Sequence, residues 1–129
     1  MARTNIPVTV TNNNGAAGIS FNDIDVAIDD ANNHMYINRV GSSRIIILFL
    51  LEESCTVDVS IISVADPYGR TGDLGPTTIA TGAGEEDVHI FGPFSPELFS
   101  QKSGTDVGKT YIDLANDTGA IRVAALAVA

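Results

Sequence analysis

The sequence predicts a mainly β protein: a single-domain β-sandwich or flattened barrel of about 8–10 short strands with one short helix. Three observations carry this. Apolar and polar residues alternate at period two through most of the apolar segments. Turn-forming residues recur every ten residues or so, and no stretch sustains the helical period of about 3.6 residues. A chain of 129 residues has room for one core, so a single domain over residues 1–129 is the natural reading.

Taken in order, Asn5 to Thr11 sets Ile6, Val8 and Val10 against Pro7, Thr9 and Thr11. Pro7 cannot donate a ladder hydrogen bond, so residues 1–8 read as an extended N-terminal arm or an edge strand. Asn12 to Gly18 is a loop by composition. Ile19 and Phe21 open an alternating stretch through Ile24, Val26 and Ile28, which ends in the turn-rich run Asp29 to Asn33 or in one helical turn capped by Asp29. His34 to Val40 reads as a strand. Arg44 to Leu51 is the strongest core signal: Ile45 to Leu51 is unbroken apolar sequence. A strand covered on both faces, or with one face on the core and the other on a partner, would explain it.

Glu52-Glu53-Ser54 reads as a hairpin turn into Cys55 to Val64, where a change of phase predicts a bulge near Ile61-Ile62. Ala65 to Gly75 is a protruding loop, longer than a hairpin connection requires. Thr77 to Thr81 and Glu85 to Phe91 are strands around the turn Gly82-Ala83-Gly84. Ser95 to Gln101 carries the helix start, with Ser95 as N-cap and Pro96 in the first turn. Lys109 to Leu114 and Ala120 to Val128 finish the chain as strands joined by the hairpin signal Asn116 to Gly119.

The chemistry in the sequence is sparse. Sixteen acidic residues face seven basic ones, a net charge of -9, which opposes a grip on nucleic acid or an anionic membrane. The longest apolar run is far short of the ~20 residues of a spanning helix. The N-terminus has no signal-like apolar core, and Cys55 is the sole cysteine. Both features suit a protein that stays in a reducing cytosol. His34 and His89 lie far apart, with no second His or Cys at ligand spacing, and Cys55 has Glu52, Glu53 and Asp58 as neighbours, which oppose a reactive thiolate. His89, between Val88 and Ile90, reads as a strand residue on the wetter face.

The glycine-containing stretches Gly69 to Gly75 and Thr81 to Gly84 match no phosphate-binding loop. Asp23, Asp25, Asp29 and Asp30 could offer oxygens to calcium, but their alternation with Ile24, Val26 and Ile28 is equally a solvated strand face. The expectation is a non-enzymatic protein with no cofactor and no metal. Its partner contacts are expected in the arm, through Arg3, Asn5, Ile6 and Pro7, and in the loop, through Tyr68 and Arg70. An arm beside a proline can add itself to a neighbour's sheet edge, and Tyr and Arg are enriched at binding hot spots.

Ala2 to Val8, Gly92 to Phe99 and Ile121 to Leu126, with Tyr111-Ile112-Asp113 between the last two, resemble a family of small proteins encoded near the major capsid protein of tailed bacteriophages. Ser95 stands where members tend to carry a second proline, and the glycine- and alanine-containing stretch after the first strand is shorter than theirs. The resemblance implies a viral structural protein on the capsid surface of the virion, made in the host cytoplasm. It would be a decoration or cement protein that binds the major capsid protein and forms a homo-oligomer, with a trimer favoured by analogy. The alternatives are a head-to-tail connector or tail ring component and, from another class, a carbohydrate-binding β-sandwich using Tyr36, Tyr68 and Tyr111.

Overall fold

The computed structural model describes residues 3–10, 18–29, 33–41, 43–64, 72–95, 99–102 and 104–128. Their order is β1 (Thr4–Asn5), β2 (Val8–Val10), α1 (Phe21–Ile24), β3 (Val26–Ala27), β4 (His34–Asn38), β5 (Arg44–Leu51), β6 (Thr56–Ile61), β7 (Leu74–Ala80), β8 (Asp87–Phe94), β9 (Lys109–Thr118) and β10 (Ile121–Val128). This is a mainly β domain with two mixed sheets of about five strands each and, among the described residues, one short helix.

Sheet one runs β1-β4-β9-β6-β7 and sheet two runs β2-β10-β5-β8, with β3 also on β10. The pairs β1 with β4 and β2 with β10 are parallel; all the others are antiparallel. No pairing closes the sheets into a barrel among the described residues; β7 and β8 end them.

The inner faces share one core. Ile45, Ile47, Phe49 and Leu51 of β5 pack in the same cluster as Met35, Ile37, Val57, Val59, Ile61, Ile112 and Val123. Burying each such side chain contributes about 1.5–3 kcal/mol relative to leaving it exposed. Phe49 meets Phe91 edge to face, with ring centroids 5.6 Å apart.

Four expectations are corrected. The first concerns β5, which is not covered on both sides: Ile45, Ile47, Phe49 and Leu51 are buried, while Ile46, Leu48 and Leu50 are only half-buried. Successive side chains leave a strand on opposite sides whatever their type, so an all-apolar run does not imply two covered faces.

The second concerns the turns. Glu52-Glu53-Ser54 and the connection after Thr118 do not close hairpins, because each carries the chain from one sheet to the other, as the turn Gly82-Ala83-Gly84 also does. They meet in a seam. The Glu52 N–H donates to the Ala120 carbonyl at 3.2 Å, the Ser54 N–H to that of Gly82 at 2.9 Å, and the Thr81 N–H to that of Cys55 at 2.8 Å. The Cys55 thiol donates to the Ala120 carbonyl at 3.2 Å. Gly119, at φ +83°, leaves this thiol its room: a Cβ there would stand 2.5 Å from Sγ.

The third concerns the N-terminal segment, where the edge-strand alternative holds rather than the free arm, since β1 and β2 each lie at the edge of a sheet. From Arg3 onward the segment is stitched to both sheets: Thr4 and Asn5 pair with Met35 and Tyr36, and Val8 to Val10 pair with Ala125 to Ala127. Ile6 is fully buried between them. Pro7 interrupts donation only where the chain is already leaving one sheet for the other.

The fourth is the helix. The described one, α1, lies within the stretch read as an alternating strand. Residues 96–98 of the helix expected over 95–101, and the turn at 30–32, lie outside the described residues. The bulge in β6 falls between Val59 and Ile61, close to its expected place.

Candidate functional site

Titratable side chains concentrate on the outer face of sheet one. Met35 and Ile37 point inward, so alternation turns His34, Tyr36 and Asn38 outward, opposite Asp113, Tyr111 and Lys109 of β9. Arg3 reaches this face from the start of β1. Its Nη1 donates to Asp113 Oδ1 at 2.7 Å and to the Met35 carbonyl at 3.2 Å, and its guanidinium lies 3.7 Å from the centroid of the Tyr111 ring. His34 Nδ1 is 2.9 Å from the same Asp113 oxygen. Lys109 Nζ lies 4.4 Å from the Tyr36 ring centroid and donates to Asp106 Oδ1 at 3.1 Å, and the Tyr111 hydroxyl donates to Asp106 Oδ2. Arg3, Tyr36, Asp106, Lys109 and Tyr111 enclose a pocket of about 160 Å³.

The electrostatics of this cluster are mutual. Burial pushes the Asp113 carboxyl up, but hydrogen bonds from His34 and Arg3, together with their charge, hold it below its ordinary value. Hydrogen bonds from Tyr111 and Lys109 hold Asp106 below the usual range, and donation to Asp106 raises the Tyr111 phenol. Further along, Asp58 is lowered by hydrogen bonds from Thr78 and Asn116. Arg3, His34, Lys109, Asp106 and Asp113 are thus engaged with one another. Chemically the arrangement is a clamp that fastens the N-terminal segment to β9.

Of the residues singled out from the sequence, Arg3 is therefore held inside the chain, Asn5 pairs with β4, Ile6 is core and Pro7 is exposed. Tyr68 and Arg70 lie outside the described residues. The acidic cluster divides: Asp25 is ion-paired with Arg122, Asp29 accepts from the Thr4 hydroxyl at 2.5 Å, and Asp30 lies outside the described residues. No group of three metal-ligating side chains is found among the described residues. His89 corrects the sequence reading. It stands directly opposite Phe49, so it faces the core side of the sheet edge, 3.5 Å from Asp87.

That placement inverts β8. Asp87, His89 and Phe91 oppose the inward residues Leu51, Phe49 and Ile47, which leaves Val88 and Ile90 on the outer face, opposite Leu50 and Leu48. Val88 is 43% exposed and Ile90 64%. With the half-buried Ile46, Leu48 and Leu50, and Leu126 opposite Ile46, they form an apolar strip across sheet two. Sequence reasoning missed this surface. Its signal was present in the alternate members of the run Ile45 to Leu51 and in Val88-His89-Ile90, where the apolar residues flank a polar one.

No family model, no curated protein and no solved structure matches the chain. This corrects the labels that the resemblance supplied: viral, bacteriophage and capsid-decorating protein, and homo-oligomer, find no relative to support them. The physical reason is the size of the cues. They cover about a fifth of the chain, and their described residues are largely strand residues that serve the sheets themselves; Gly92-Pro93-Phe94, for example, forms the end of β8. Among the described residues no helix is long and apolar enough to cross a membrane.

Proposed function

We propose that this chain is a non-enzymatic structural interaction protein: a two-sheet sandwich that holds a protein partner on the outer face of sheet two. The observation that carries the reading is the inversion of β8. An edge strand normally turns its apolar residues to the core, whereas this one turns Val88 and Ile90 outward, in line with the outer half of β5. Single exposed apolar residues are ordinary; a continuous strip across two paired strands suits contact with another surface.

A carbohydrate partner has less support. Sugar rings stack on open aromatic faces, and the faces of Tyr36 and Tyr111 lie against Lys109 and Arg3. A major capsid protein, or a connector or tail ring, is singled out only by the three short sequence cues, so the reading stops at a protein partner. The test is site-specific photo-crosslinking in the cells that make the protein. A crosslinker at position 90 should capture a discrete protein species, and one at Thr78, on the other sheet, should not. Equal capture at the two positions would refute the assignment.

A further inference from the structure

The apolar strip ends at a group of exposed acids, and this sets the chemistry of the surface that fits it. The last rung of the β5–β8 pair is Leu51 opposite Asp87. Glu52 follows the one and Glu86 precedes the other, so both flank the end of the strip. With Glu53, Gly84 and Glu85 they line an open cleft of about 290 Å³. All four glutamates are exposed, and none makes an ion pair with another described residue. Arg122, whose charge Glu52 feels, is itself engaged with Asp25. Four carboxylates with no cation among the described residues to pair them repel one another and focus negative potential at the end of the strip.

The edge of β8 is poorly suited to take an added strand. The Val88 N–H donates to Asp87 Oδ1 at 2.8 Å, and Pro93 has no N–H to offer. A carboxylate cap and a proline are both devices that discourage edge pairing, so docking is directed to the face.

We infer that the outer face of sheet two docks a protein surface that carries apolar side chains next to Lys or Arg. The apolar part lies over Leu48, Leu50, Val88 and Ile90, and the cations enter the cleft of Glu52, Glu53, Glu85 and Glu86. This rests on the proposed role of the strip as a docking face, and adds the partner's charge and its orientation. Complementary charge at the end of an apolar contact fixes register and raises the association rate. An anionic lipid surface is disfavoured by the same acids.

The test uses the full chain and two fluorescent probe peptides of alternating Leu and Thr, one ending in three Lys and the other in three Glu, followed by anisotropy at low salt. The lysine-ended peptide should bind about tenfold more tightly, and screening by about 1 M salt should shrink that preference. The combined change Glu52→Gln, Glu85→Gln and Glu86→Gln should remove the preference, and Ile90→Asp should weaken both peptides. If both peptides bind equally and Ile90→Asp still weakens them, the docking face stands and the inference about charge is overturned. Binding indifferent to Ile90→Asp, or no binding of either peptide, overturns both. Self-association by sedimentation that Ile90→Asp abolishes would assign the face to a second copy and overturn the basic partner.

Discussion

Strands β5 and β6 bury similar inner faces and present opposite outer ones. β6 sets Val57, Val59 and Ile61 on the core and Thr56, Asp58 and Ser60 outside, where Asp58 accepts hydrogen bonds from Thr78 and Asn116. β5 sets Ile45, Ile47, Phe49 and Leu51 on the core and Ile46, Leu48 and Leu50 outside, beside the exposed Val88 and Ile90. Folding has the same requirement of both strands, since one covered face is enough for either. The difference between their outer faces therefore reflects something other than folding. Sheet one's outer face is finished by polar contacts within the chain, and sheet two's is left apolar across β5 and β8.

This contrast can be broken most forcefully from inside. Phe49→Ala removes a fully buried ring and its edge contact with Phe91, and should cost about 3–5 kcal/mol in denaturant melts. The same truncation at Leu48, one residue away on the outer face, should cost well under half as much. Equal losses would mean that both faces of β5 are covered.

Next in size is the seam between the sheets. Gly119→Ala drives a Cβ to within 2.5 Å of the Cys55 sulfur at a positive φ, and should cost roughly 2–4 kcal/mol. Gly84→Ala, also at positive φ but in open space, should cost about 1 kcal/mol. A difference too small to resolve by thermal melting would show that the seam gives way easily.

A smaller, pH-dependent effect is expected at the Arg3 clamp. Asp113 titrates below its ordinary value of 3.8 in the folded chain. Its contribution to stability is therefore fully present above that value and is lost as pH falls through the lower, folded value. Asp113→Asn should lower the melting temperature at neutral pH and flatten the drop in melting temperature between about pH 4 and pH 2. A parallel acid profile for variant and parent would remove Asp113 from the account. The smallest effect is expected at Ile90→Thr, which should change stability by no more than about 0.5 kcal/mol while weakening partner capture.

Legibility follows the range of the interactions. Strand content, the long apolar segment and the bulge in β6 are visible in the sequence, because each depends on neighbours within a few residues. Sheet membership is not. Glu52 to Ser54 and Asn116 to Gly119 have the composition of hairpin turns, and nothing local distinguishes a turn that returns to its own sheet from one that crosses to the other. The N-terminal segment misleads for a related reason. Pro7 does argue against pairing, but the partners of Thr4 and Val8 are Met35 and Ala125, and no local pattern announces contacts at such separation. The clamp is half visible: Arg3 stands out in the sequence, but as a group free to bind, because Asp113 lies 110 residues away.

The seam also makes Cys55 a clock. Its sulfur lies against two of the crossings, at Glu53 and at Gly119-Ala120, and the residue is only 2% exposed, so a thiol reagent can reach it only after the crossings have parted. When reclosing is faster than reaction, the alkylation rate reports the free energy of that local opening rather than of global unfolding. Measured against denaturant, it would show whether the end of the domain that holds the glutamate cleft breathes independently of the core beneath Phe49.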